Sequence, residues 1–312
     1  MLGWLIGRSF DPDADIPSLA GKVVLVTGGK LRAVRYTSQV STADKSPGNN
    51  GLGKETVLQL AKHSPKEIFL AARSESKAVA AITEIKAAVK KASVTFLKLD
   101  LSSFRSIKQA ADDFSSRSNR LDILINNAGI AGVPYSKTED GYEVQFGTNH
   151  MGHALLTKLL LPVLLKTAEK PDADVRVINP PLTRYGHSKL ANILHAWELQ
   201  KRYPAITATA VHPGVIITDI YNTYSEGNFI MRYLTPIAKA VAPYGILPDV
   251  YDVPGGTLTQ LWAATASREK VRSSHYWLPI GVKNAGTAYA QSEELAKQLW
   301  EWTEAEFSKH GT

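Results

Sequence analysis

The sequence predicts a doubly wound α/β fold, a single domain over residues 1–312 with one parallel sheet and helices on both faces. Three observations predict it. Short apolar runs alternate with segments of helical period from residue 22 onward. The runs are apolar at nearly every position rather than at every second one, the pattern of strands buried on both faces. No internal repeat and no linker divides the chain. Strand–helix alternation of this kind implies right-handed crossovers and a parallel sheet, with ligands at the carboxyl ends of the strands.

The elements follow in order. Val23–Val26 is the first strand and ends at Thr27-Gly28-Gly29. A helix after Gly53 places Val57, Leu60 and Ala61 on one face and stops at His63-Ser64-Pro65. Ile68–Ala71 is the second strand, followed by a helix over about 75–91 and the strand Val94–Leu97. A helix over about 103–118 leads to the strand Leu121–Ile125. A long helix is expected over about 138–168, then the strand Val175–Ile178, a helix over about 185–202 and the strand Thr207–Val211. Beyond His212-Pro213-Gly214 the rhythm loosens. Residues 219–250 are rich in Tyr, Ile and Pro without a clean period, and read equally as a substrate lid or a surface connection. A helix near 251–267, a strand near 275–281 and a helix near 292–308 close the domain.

Composition excludes several classes. The chain has 44% hydrophobic and 21% charged residues, an ordinary globular profile. It has no cysteine, so disulfides, thiolate metal sites and cysteine nucleophiles are ruled out. The net charge of +7 is scattered, with Lys30, Arg32, Arg35 and Lys45 in one segment, and no aromatic-interleaved basic stripe points to nucleic acid. The first residues lack the long apolar core of a signal peptide. The longest apolar run, Leu155–Leu165, is broken by Lys158 and Pro162, so no membrane span and a cytoplasmic location are expected.

Strand, glycine turn and helix together make a dinucleotide site, because glycine lets the backbone approach the phosphates and the helix N-terminus favours negative charge. Here the turn is in two pieces: Thr27, Gly28 and Gly29, then Asn50, Gly51, Leu52 and Gly53. Joined, they read Thr-Gly-Gly-Asn-Asn-Gly-Leu-Gly. Further along come Asp100 after the third strand, Asn126-Asn127-Ala128-Gly129 after the fourth and Asn149 on the long helix. Tyr185-Gly-His-Ser-Lys189 and Pro213-Gly214 with Thr218 complete the set.

These motifs, in this order and over about residues 20–290, resemble the short-chain dehydrogenase/reductase family, with its Rossmann fold. Tyr185 to Leu194 is most similar to the branch of retinol-dehydrogenase-like enzymes and fungal reductases. The resemblance implies an oxidoreductase that interconverts a carbonyl and an alcohol on a small molecule. It assigns Tyr185 as general acid/base, Lys189 as the cation that favours its phenolate and reaches the nicotinamide ribose, and Asn149 as holder of a relay water. Thr27, Gly28, Gly29, Asn50, Gly51, Leu52, Gly53, Asp100, Asn126, Ala128, Gly129, Pro213, Gly214 and Thr218 would line the cofactor. Arg73, ending the second strand where an acidic residue would select NAD(H), favours the 2′-phosphate of NADP(H). The resemblance further implies dimers or tetramers through the helices at about 138–168 and 185–202. His150 and His153 have the i, i+3 spacing of a metal pair, but without a third ligand they read as packing or capping residues, and no metal is expected. His187 and Ser188 lack the setting of a hydrolase.

Two departures from the family pattern stand out. Residues 30–48 split the glycine turn, so either they bulge outward and the glycines still meet, or the phosphate site is broken. The codons for Gly29-Lys30 and Pro47-Gly48 accommodate GGTAAG and CCAGGN, the two ends of a spliceosomal intron whose excision restores the turn in frame. The second departure follows the fifth strand, where the family carries a Ser that bonds the substrate oxygen, then a loop, then the Tyr. Here Asn179 runs directly into Pro180-Pro-Leu-Thr183-Arg-Tyr185. Thr183 reads as a helix cap, and Ser188 lies on the helix itself. A slow or inactive enzyme is therefore expected, with a non-catalytic dinucleotide-binding scaffold as the alternative.

Overall fold

A computed structural model describes residues 10–28, 51–130, 133–179, 186–216 and 250–312. The strands are β1 (Val23–Thr27), β2 (Glu67–Ala72), β3 (Val94–Lys98), β4 (Ile123–Ile125), β5 (Arg176–Asn179), β6 (Thr207–Val211), β7 (Val215–Ile216), β8 (Val250–Tyr251), β9 (Tyr276–Leu278) and β10 (Val282–Lys283). The longer helices are α1 (Leu52–Ala61), α2 (Glu75–Ala88), α3 (Phe104–Arg117), α4 (Val144–Ala168), α5 (Gly186–Arg202), α6 (Val253–Thr265), α7 (Arg268–Arg272) and α8 (Glu293–Lys309).

Eight strands form one sheet in the order β10-β9-β6-β5-β4-β1-β2-β3, parallel except for β10. Chain order reverses between β1 and β4, where Val26 pairs with Ile125. The expectation of strands covered on both faces holds: β1, β4, β5 and β6 are buried at every position. Alternate residues of one strand feed opposite layers, as the two-residue period requires. Val23 and Leu25 pack with α3 and α4 through Phe114, Leu155 and Leu160. Val24 and Val26 pack on the other side with Val57, Leu60, Ile82 and Leu261. These helices begin where the sequence offers caps. Ser103, Asp252 and Ser292 each accept a backbone N–H of the first turn of α3, α6 and α8.

Several boundaries differ from expectation. The long helix starts at Val144, not near 138, because Thr138 and Tyr142 close a turn with Gly141 at φ +91° and Glu143 caps the helix through Phe146 N. Its second turn, Gly147–Met151, is a π-turn. Helix α2 ends at Ala88 rather than 91, since Val89 is already extended at φ −125°. Leu121 and Asp122 precede β4 rather than belonging to it. Asp122 is wholly buried, with Arg120 bonded to both carboxylate oxygens at 2.8 Å. Taken whole, Val144–Ala168 is long and apolar enough to cross a membrane, which Leu155–Leu165 alone did not suggest. In the fold this helix is a core element, with Leu155, Leu156, Leu160 and Leu164 fully buried.

Candidate active site

The carboxyl ends of β1 and β4 lie side by side at the switch point, which brings the glycine turn against the asparagine loop. Gly28 has φ +81°, and a side chain there would put Cβ 2.8 Å from both Cα and Cβ of Ala128. A Cβ on Gly53 would run into the carbonyl oxygen of Gly28. Glycine is thus required twice, once for a left-handed backbone and close approach, once for close approach alone. Gly28 and Gly53 are in contact even though Gly29, residues 30–48 and Asn50, all outside the described residues, lie between them in the chain. Helix α1 follows with Gly51 at its N-cap and no side-chain cap, leaving the positive end of the helix facing the turn.

The asparagine loop braces that turn. Asn127 Nδ2 donates to the carbonyls of Thr27 (2.9 Å) and Gly28 (3.1 Å). Ala128 N donates to Thr27 Oγ1 at 3.0 Å. Asn126 Nδ2 donates to Thr157 Oγ1 and to Asn179 Oδ1, tying β4 to α4 and β5. Gly129 leads into Ile130, which Asn149 holds from both sides: Asn149 Oδ1 accepts from Ile130 N at 2.8 Å and Nδ2 donates to Ile130 O at 3.0 Å. The amide of Asn149 is therefore a clamp on the loop, with both ends engaged. Its main-chain oxygen accepts from the side chains of His153 and Asn192.

Around this turn of α4 sits a buried histidine group. His150 Nδ1 lies 3.2 Å from Asn192 Oδ1, while its Nε2 is buried without a partner. Burial pushes its pKa down to about 4. His195 faces it edge-on at 5.8 Å and stacks on Trp300 at 5.0 Å. Burial, then the neighbouring histidines His150 and His153, lower its pKa to about 3. No group of three or more possible metal ligands occurs among the described residues.

At the other end of the site, Arg73 follows β2 with its side chain 62% exposed and its Nε 4.0 Å from Asp100 Oδ2. Asp100 Oδ1 accepts from the main-chain N–H and hydroxyl of Ser102, which fixes the start of the turn after β3. Lys98 Nζ donates to the Arg73 main-chain carbonyl at 2.7 Å. Lys98 is placed there by its pairing opposite Ala72 in the β2–β3 register, which nothing in the sequence alone announces.

Pro213 and Gly214 lie beyond β6. Gly214 has φ +81°, and its N–H donates to His212 Nδ1 at 2.9 Å. Strands β7 and β8 pair in parallel, with Val215 opposite Val250 and Ile216 opposite Tyr251. Residues 217–249, with Thr218 and nearly all of the lid candidate, lie outside the described residues. So do Tyr185, Thr183 and the side chains of His187 and Lys189, although Lys189 is on α5. A cavity of about 470 Å³ between α4, α5 and α8, lined by Leu161, Leu165, Leu199 and Trp300, contains none of the sequence-assigned site residues.

Comparison with known proteins accords with this geometry. The short chain dehydrogenase family model matches residues 47–228. The short-chain dehydrogenase/reductase drtF of Aspergillus calidoustus is 34% identical, over 94% of this chain and 96% of its own length. Retinol dehydrogenase 12 of Homo sapiens is 36% identical over 90% of this chain and 85% of its own. Among solved structures, a protein of Mycobacterium paratuberculosis aligns with TM-score 0.64 and 26% identity, covering 94% of this chain and 96% of its own. The L-sorbose reductase of Gluconobacter frateurii, solved with NADPH and L-sorbose, aligns with TM-score 0.61 at 17% identity, over 86% of this chain and 98% of its own. The chain belongs to the short-chain dehydrogenase family.

Proposed function

We propose that this chain is a cytoplasmic, NADP(H)-dependent oxidoreductase that interconverts a carbonyl and an alcohol on a small lipophilic substrate, and that its turnover is slow. The observation that carries the reading is the cradle at the switch point. Gly28 and Gly53 meet where any side chain would collide, and Asn127 braces the turn from below. A pyrophosphate fits such a cradle, and Thr27, Gly28, Gly51, Leu52, Gly53, Asn126, Ala128 and Gly129 would hold the dinucleotide around it. Exposed Arg73 favours a 2′-phosphate over a bare ribose hydroxyl. The lipophilic substrate is supported by the similarity to a retinol dehydrogenase and by Tyr221, Tyr224, Phe229, Ile230, Tyr233 and Leu234 in the lid candidate.

The bound nicotinamide supplies the hydride chemistry; the protein orients the reactants and handles the proton. Tyr185 exchanges a proton with the substrate oxygen, and the Lys189 ammonium, one helical turn on, favours the phenolate. Slow turnover follows from the short connection between β5, ending at Asn179, and α5, starting at Gly186. It leaves no room for the family's Ser-bearing loop, and losing one donor at the reacting oxygen costs about 10²–10³ in rate. That same connection favours a second reading, a scaffold that binds the dinucleotide without turnover.

Titration of the full chain with NADPH and NADH, followed by nicotinamide fluorescence, tests both. NADPH is expected to bind more tightly, and Arg73→Ala to erase about tenfold or more of the preference, since a hydrogen bond to a charged group is at stake. Failure to bind either dinucleotide would refute the cofactor reading. Binding with carbonyl turnover abolished by Tyr185→Phe supports the enzyme; binding with no turnover on any carbonyl tried supports the scaffold.

A further inference from the structure

His153 touches both halves of the site. It is buried, with Nδ1 3.0 Å from the main-chain oxygen of Asn149 and Nε2 2.9 Å from Thr27 Oγ1. A carbonyl oxygen only accepts, so Nδ1 carries the ring proton and Nε2 of the neutral ring is an acceptor. The Thr27 hydroxyl therefore donates to Nε2. Its other acceptor, the Ile125 carbonyl, is 3.5 Å away, too long to compete. With its proton so placed, Thr27 Oγ1 offers a lone pair to Ala128 N. The other end of the ring sits on the π-turn that aims the Asn149 amide at Ile130.

We propose that His153 is a positioning residue that couples the glycine turn to the Asn149 turn, so that residues 126–130 are held from Thr27 at one end and from Asn149 at the other. The Asn149 carbonyl selects the ring tautomer, and the tautomer orients the Thr27 hydroxyl. This inference rests on the reading of the glycine turn as the dinucleotide site.

Two near-isosteric variants of the full chain separate the two ends of the ring. His153→Asn places an amide nitrogen where Nδ1 stands, keeps the bond to Asn149 and stops short of Thr27. His153→Gln reaches Thr27 with Oε1 and gives up the bond to Asn149. By fluorescence titration, each variant is expected to weaken NADPH binding about tenfold, the scale of one lost buried hydrogen bond, because each cuts the link at one end. Unweakened binding in either variant overturns the proposal. Should the unmodified chain bind no dinucleotide, the cofactor reading fails by itself, and urea unfolding of Thr27→Val, His153→Asn and the double variant decides the coupling. Effects that merely add overturn it. A double variant no less stable than the weaker single variant supports it.

Discussion

His150 and His195 show how burial alone sets a residue's behaviour. Each is fully enclosed, and neither has a carboxylate among the causes of its shift; only the Asn192 side chain partly offsets desolvation at His150. Their folded-state pKa values, about 4 and about 3, lie below the roughly 6.5 of an unfolded histidine. The unfolded chain therefore takes up protons first as pH falls. Their stabilising preference for the folded state is intact above pH ~6.5 and is lost progressively down to the folded pKa values. Each contributes a slope of at most about 1.4 kcal/mol per pH unit in that window. Urea unfolding between pH 7 and pH 4.5 is expected to show stability falling, with His195→Phe removing part of the slope. An unchanged slope in that variant would refute the account. The sequence reads His150 and His153 as packing or capping residues, each with a local role on its helix. Their partners, Asn192 and Thr27, lie 42 and 126 residues away in the chain and were not legible there.

At the scale of elements, α8 decides what α4 and α5 can do. Phe307 is buried against the α3–α4 core, Lys158 of α4 pairs with Glu304 at 2.5 Å, and Trp300 packs on His195 with Arg202 5.2 Å above its ring. Tyr142 OH donates to Glu306 at 2.9 Å. The family resemblance points to subunit contacts through α4 and α5, yet this chain lays its own C-terminal helix across them. The expected outcome is a monomer of 34.0 kDa by sedimentation equilibrium. A dimer that persists at micromolar concentration would mean that the contact lies elsewhere or that α8 gives way. Helical periodicity announced α8 to within a residue or so. It could not announce the π-turn at Gly147–Met151, because a one-residue change in hydrogen-bond register leaves the apolar pattern almost untouched.

For the whole molecule, the split turn is the feature with the largest consequence. Gly28 and Gly53 meet although a long segment separates them in the chain, and the entropy of closing a loop grows with the logarithm of its length. Shortening that connection to the family's few residues is worth about 1–2 kcal/mol by the logarithmic loop law. A variant lacking residues 30–48 is therefore expected to unfold at higher urea with an unchanged slope, and to bind NADPH at least as tightly. Loss of folding in that variant would show that the segment is integral to the domain. A genomic sequence without the codons GGTAAG and CCAGGN at its ends would dispose of the retained-intron origin.

The order of strands and helices, the Rossmann architecture and the family were all written in local sequence. Apolar runs of strand length, their alternation with helical periods and motifs of a few adjacent residues are short-range properties that survive in one dimension. The contacts that assemble the site were not. That Gly28 meets Gly53, that Asn149 spends both ends of its amide on Ile130, that Lys98 joins Arg73 and that α8 covers α4 and α5 are all products of tertiary packing. Each joins residues whose sequence separation carries no periodic signal, and each depends on how the sheet and the helices around it pack in three dimensions.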